Sequence, residues 1–139
     1  MIEVRFPGGR KVEATFDGHR VVTDQPASSG GEGSAPSPLD LFLVSVASCA
    51  GFYALRFCQE RNLDTEGLRV SMETELDASR KKIVKMNIAI DLPDRFPEQY
   101  RDAILRSVGQ CPVKRCLEEP PAILLSARIP VPEPELAVV

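Results

Sequence analysis

The spacing of hydrophobic residues changes character several times along the chain. In residues 10–16, RKVEATF, Val12, Ala14 and Phe16 alternate with Lys11, Glu13 and Thr15, the period of a strand with one apolar face. Asp17-Gly18 follows, a pair that tolerates the positive φ of a tight hairpin turn, and a return strand is expected over His19 to Thr23. Pro7-Gly8-Gly9 marks an earlier turn, so the N-terminus is predicted to be a three-stranded meander. Residues 26–37, PASSGGEGSAPS, hold only small residues, two prolines and one acid. They read as a loop, either a plain solvated connection or a flexible wall beside a site.

From Leu41 to Leu55, LFLVSVASCAGFYAL, no charge appears. Fifteen such residues fall short of the ~18–20 that cross a bilayer, so no membrane segment is expected. Ser37 as N-cap and Pro38 at the first helical position extend the run into a helix of about 24 residues ending near Arg61. It is apolar nearly all round and should be buried on most sides. A domain of this size rarely encloses so long a helix alone, so a homodimer sharing its cover is expected.

Strand periodicity then returns. Leu68, Val70, Met72 and Leu76 point one way, and Val84, Met86, Ile88, Ile90 and Leu92 repeat the pattern after the polar turn DASRKK. A helix is expected from near Pro97, with Phe96, Tyr100, Ile104 and Val108 at four-residue spacing, and a short one over CPVKRCLEE. Residues 122–129, AILLSARI, read as a final strand, and 130–139 as an extended tail. This order gives an α+β fold in one domain, residues 1–139, with no βαβ alternation.

Composition narrows the chemistry. A net charge of −3 argues against a nucleic-acid binder, and the single histidine, His19, disfavours a histidine-centred metal site or a Ser-His-Asp triad. Cysteines are the informative residues: Cys49, Cys58, Cys111 and Cys116, in no CxxC or zinc-ribbon spacing. The N-terminal stretch lacks an apolar signal core, so a cytoplasmic location with reduced thiols is expected. Nine residues at about 100° each put Cys58 on the helix face opposite Cys49. The two therefore neither pair within the helix nor converge on a metal, and Cys58 reads as core. Cys111 precedes Pro112 and would be the N-cap of the short helix, facing its positive end, with Lys114 and Arg115 nearby. Cys116 reads as structural. Cys49 among apolar residues is an inert thiol unless a cation reaches it. The residues alone leave inert thiols, a redox pair and a nucleophile open.

The string APSPLDLFLVSVASCAGFY (35–53), followed by CPVKRCL (111–117), resembles the OsmC/Ohr family of thiol peroxidases, and GHRVVTDQP…GGEGSAPSPLDLF is similar to its OsmC-like subgroup. The resemblance spans roughly residues 8–130. It implies an OsmC-like fold: an N-terminal β-meander, a long buried central helix, a β-hairpin, two further helices and a final strand, in an intertwined homodimer. It also implies reduction of organic hydroperoxides with Cys49 as peroxidatic thiolate and Cys111 as resolving thiol. No bound cofactor or metal is implied, only a dithiol or small-thiol reductant as co-substrate. Family members orient the first cysteine with an arginine and a glutamate. Gly8-Gly9-Arg10 matches the arginine's local pattern, with Arg20 as the reserve; the glutamate's position is Leu39, with Asp40 adjacent. That departure keeps a second reading in play, a non-catalytic small-molecule-binding dimer on the same fold.

Overall fold

The computed structural model describes residues 1–79 and 82–129. β1 (Glu3–Gly8), β2 (Lys11–Phe16) and β3 (His19–Thr23) form an antiparallel meander in that spatial order. Asp17 and Gly18 take φ of 46° and 79°, and Phe16 pairs with His19 across the turn they make. The expected tight hairpin is present at the expected residues.

α1 runs from Pro38 to Gln59. Its start is fixed by reciprocal hydrogen bonds: the Asp40 amide donates to Ser37 Oγ (3.2 Å), and Asp40 Oδ2 accepts from the Ser37 amide and hydroxyl (2.8 Å each). These satisfy backbone donors that the first helical turn leaves free. At the far end Asn62 adopts φ 53°, and the Leu63 amide reaches back to the Cys58 carbonyl at 2.9 Å, which stops the helix short of Arg61.

β4 (Arg69–Leu76) and β5 (Ile83–Asp91) form the expected antiparallel hairpin, with Val70 opposite Ile90 and Met72 opposite Ile88. The turn's centre, residues 80 and 81, lies outside the described residues. Near Pro97 the chain makes a single 3-10 turn, Glu98–Tyr100, before α2 (Arg101–Gly109); α3 (Pro112–Glu118) follows directly. The core is built by Ala50, Ala54, Phe57 and Cys58 of α1 against Ile104 and Val108 of α2, with the hairpin's Val70, Ile88 and Ile90 packed on it. Alanines at 50 and 54 let α2 approach α1 closely, and the Phe57 and Tyr100 rings meet edge to face at 6.0 Å.

Two expectations need correction, although the α+β class stands. α1 is long and apolar, yet within this chain it is buried along one side only: Val44, Phe52 and Leu55 remain exposed on the other. Its length and composition would also fit a bilayer-crossing segment, but its Ala50-Ala54-Phe57-Cys58 side is occupied by α2 and the hairpin. Residues 122–129 form no strand, and Ile123, Leu124, Leu125 and Ile129 are 83–94% exposed. A strand exists only where an edge pairs with it, and among the described residues this segment has no such ladder. The expected tail, 130–139, lies outside the described residues.

Candidate active site

α1 and α2 run antiparallel along one seam. Phe57 meets Tyr100, the Ser107 hydroxyl donates to the Tyr53 carbonyl at 3.4 Å, and one turn further on Cys49 is joined to Cys111 by a disulfide with Cα atoms 5.9 Å apart. The 62-residue separation is thus bridged by the packing of the two helices. Cys49 is half-buried, whereas Cys111 is 1% exposed. Cys111 is the residue before α3, with Pro112 at the first helical position, as its sequence context indicates. Its sulfur makes no capping hydrogen bond; the disulfide takes it instead.

The other two cysteines are free. Cys58 is fully buried in the core cluster on the opposite face of α1, and burial pushes its thiol up, with Arg61 only partly offsetting it. Such a thiol is a poor nucleophile. Cys116 is exposed on α3. Among the described residues no group of cysteine, histidine and carboxylate side chains converges as a metal site.

The arginine and acid candidates are placed less favourably. Arg10 follows β1 in an exposed turn, and its guanidinium lies over Gly30, whose added β-carbon would sit 3.6 Å from Nε. It makes no ion pair among the described residues. Arg20, the reserve, is tied to Glu13 across β2 and β3, with Nε 2.7 Å from Oε2. Asp40 is committed to the helix cap, and the Ser37 hydroxyl and amide hold its carboxyl below the usual range. Nine residues before Cys49, it stands about 14 Å away along the helix and on the opposite face. Its geometry gives it a structural task.

One feature of the loop was not readable from its composition. Asp24 is 1% exposed, and its carboxylate accepts from the Ser34 amide (3.0 Å) and hydroxyl (2.8 Å), the Gln25 amide (2.8 Å) and the Glu32 amide (3.2 Å). The Ser34 bonds, followed by those amides, pull its pKa down to about 2. The Asp24 amide also donates to the Pro36 carbonyl at 3.2 Å, closing the segment into a clasped loop. Gly31 is sterically required there, since a β-carbon would lie 1.9 Å from the Gln25 carbonyl oxygen. An acid immediately before a loop rich in serine and glycine was the only available signal.

With this geometry in place, comparison with known proteins is informative. A family model described as OsmC-like protein matches residues 31–126. A protein from Psychrobacter arcticus 273-4, described as an osmotic stress induced and detoxification response protein, has a similar structure: TM-score 0.69, 22% identity, 82% of this chain and 85% of that one covered. So does a Legionella pneumophila protein described as an organic hydroperoxide resistance protein OsmC and redox protein, at TM-score 0.55 and 22% identity, with 84% and 88% covered. A Vibrio cholerae protein described as an organic hydroperoxide resistance protein, with captopril bound in one of its active sites, gives TM-score 0.55 and 19% identity, with 84% and 83% covered. No curated protein matches the sequence. At these identities the likeness to the solved structures is one of fold.

Proposed function

This chain belongs to the OsmC-like protein family, and from that premise we propose that it reduces organic hydroperoxides to alcohols through Cys49 and Cys111. The observation that carries the reading is the juxtaposition of those two cysteines, 62 residues apart, at the end of the α1–α2 seam. In the reduced protein the Cys49 thiolate attacks the distal peroxide oxygen. The O–O bond breaks, the alkoxide takes a proton and leaves as alcohol, and Cys49 becomes a sulfenic acid. Cys111 then attacks that sulfur, hydroxide leaves and is protonated to water, and the disulfide forms. Two electrons pass from two thiols to one peroxide. No cofactor takes part; a dithiol or small thiol supplies the electrons that reopen the pair.

Cys49 is the peroxidatic partner in this reading because it is the more accessible of the two. Arg10 is its proposed activator, which requires the guanidinium to leave Gly30 in the reduced protein. A homodimer is proposed because the outer face of α1 is apolar and uncovered within the chain. A cytoplasmic setting suits a disulfide that must be re-reduced each cycle. The alternative, a binding dimer without catalysis, draws on one observation: Asp40 is spent on the helix cap and Leu39 supplies no acid.

The test is a peroxide titration of the fully reduced protein with thiol counting and disulfide mapping. One equivalent of cumene hydroperoxide should remove two of the four thiols and yield a Cys49–Cys111 bond, and Cys49→Ser should abolish the reaction. Four thiols surviving excess peroxide would overturn the peroxidase reading in favour of the binding dimer.

A further inference from the structure

A cleft of about 340 Å³ between α1 and α2 is lined by neither Cys49 nor Cys111. Arg56, Glu60 and Arg61 reach it from the end of α1, and Arg106 and Gln110 from the end of α2. Three guanidiniums thus share it with one carboxylate, in a chain whose net charge is −3. Arg56 is matched, with Nε 2.6 Å from Glu60 Oε1. Arg61 is held but not matched. Its guanidinium carbon lies 3.9 Å above the Phe57 ring, and Nη1 donates to the Phe57 carbonyl at 3.3 Å. The same nitrogen stands 3.9 Å from Glu60, beyond hydrogen-bond reach. Arg106 makes no ion pair or hydrogen bond among the described residues. Arginine in the last turn of a helix complements the helix dipole, which accounts for Arg106 singly. It does not account for two unneutralised guanidiniums converging on one cavity from different helices.

We propose that this cleft binds a phosphomonoester with an aromatic or other apolar body. Arg61 and Arg106, left unneutralised, match the two charges of a phosphomonoester dianion. A planar guanidinium presents its N–H donors as a fork that suits phosphate oxygens. Arg61 is already restrained by the Phe57 ring and carbonyl, so little side-chain freedom is lost when an anion arrives. The Gln110 carboxamide adds a neutral donor from the other helix. Tyr53 and Phe57, which also line the cleft, offer an apolar wall to the body of the ester. A monocarboxylate would leave one guanidinium unmatched, and a bare phosphate would leave that wall uncovered. Because the cleft excludes both paired cysteines, its ligand takes no part in the thiol chemistry. The inference stands whether or not the peroxidase cycle does.

The experiment titrates phenyl phosphate, benzoate and inorganic phosphate into the full-length disulfide form by calorimetry, at about pH 8, where the ester is a dianion. Phenyl phosphate should bind saturably at one site per chain, about tenfold more tightly than either of the others, and more weakly as salt is added. Arg106→Glu should weaken it about tenfold or more, and Arg106→Gln should fall between. Arg106 is exposed and unpaired, so both variants should melt as wild type does. Arg5→Glu makes the same charge change on β1, outside the cleft, and should leave the affinity within about twofold. No saturable binding of phenyl phosphate, or binding that Arg106→Glu leaves unchanged, would overturn the proposal. An equal loss in Arg5→Glu would overturn it too, since attraction would then belong to the whole surface. Equal affinity for inorganic phosphate would assign the cleft to the free anion, and equal affinity for benzoate to any anion; either result refutes the ester.

Discussion

The two halves of this chain are finished to different degrees. The α1–α2–hairpin half encloses its own core: Ala50, Ala54, Phe57, Cys58, Ile104 and Val108 shield one another, and the disulfide closes the seam beside them. The meander contributes no residue to that cluster; its β1 strand is exposed throughout, and Phe6 is 81% exposed. Apolar residues left in water contribute nothing to stability until something covers them. The contrast teaches that the paired cysteines and the core are a single-chain matter, whereas the meander, the outer face of α1 and residues 122–129 await a cover. A second copy of the chain is the cover proposed here.

Phenylalanine truncations would break or sharpen that contrast most strongly. Phe57→Ala should cost about 3–5 kcal/mol, the ordinary penalty for emptying a packed aromatic site, seen as an early denaturant midpoint. Phe6→Ala should cost almost nothing if the meander stays exposed. In a dimer whose partner covers β1, it should instead cost over ~1 kcal/mol and make the midpoint depend on protein concentration. Sedimentation of wild type and of Phe52→Glu, which charges the exposed face of α1, should give a dimer and a monomer respectively. A monomeric wild type would refute the cover argument.

Local grammar was legible in the sequence wherever neighbouring residues decide the outcome. Asp17-Gly18 announced its turn, Ser37-Pro38 the start of α1, the alternation at 69–76 and 83–91 its hairpin, and Cys111-Pro112 the start of α3. The opposed faces of Cys49 and Cys58 followed from helical geometry, and the core took Cys58 as expected. What stayed hidden depends on partners distant in sequence. Residues 122–129 have strand composition but no edge to pair with among the described residues, and pattern alone cannot supply one. The pairing of Cys49 with Cys111 was implied by family resemblance, because no spacing rule encodes a seam between two helices. The Asp24 clasp was missed since its partners, Glu32 and Ser34, sit in a stretch whose composition reads only as flexible.

That clasp offers a second way to sharpen the contrast, because it stiffens a segment of the uncovered half. Gly31→Ala must push the Gln25 carbonyl away from the new β-carbon, and Asp24→Asn removes the charge and replaces one of the two oxygens that together accept from three amides and a hydroxyl with an NH2 donor. Each should lower Tm on the order of 5 °C, measured by thermal melts. The acid limb gives the sign. Asp24's folded value of about 2 lies below its ordinary 3.8, so its stabilisation is present above about pH 4 and is lost as pH falls toward 2. Asp24→Asn should flatten that part of the pH–stability curve. An unchanged acid limb would mean the clasp contributes little, and the loop would rank with the exposed parts of its half.

The smallest effect concerns the junction between the halves, where Ser37 and Asp40 begin α1. Ser37→Ala removes the hydroxyl that accepts from the Asp40 amide and should cost about 1 kcal/mol. Asp40→Asn weakens the same cap, since its lowered pKa reflects hydrogen bonds to the charged form from the Ser37 hydroxyl and amide. If Asp40 only starts the helix, the two variants should melt alike and oxidise Cys49 at the wild-type rate under matched, fully folded conditions. If its carboxylate takes part in the chemistry, Asp40→Asn alone should slow peroxide consumption while Ser37→Ala leaves it intact. Stopped-flow oxidation of the reduced proteins separates the two outcomes. The geometry favours the first, because an acid nine residues before Cys49 faces away from it, bound to the turn it caps.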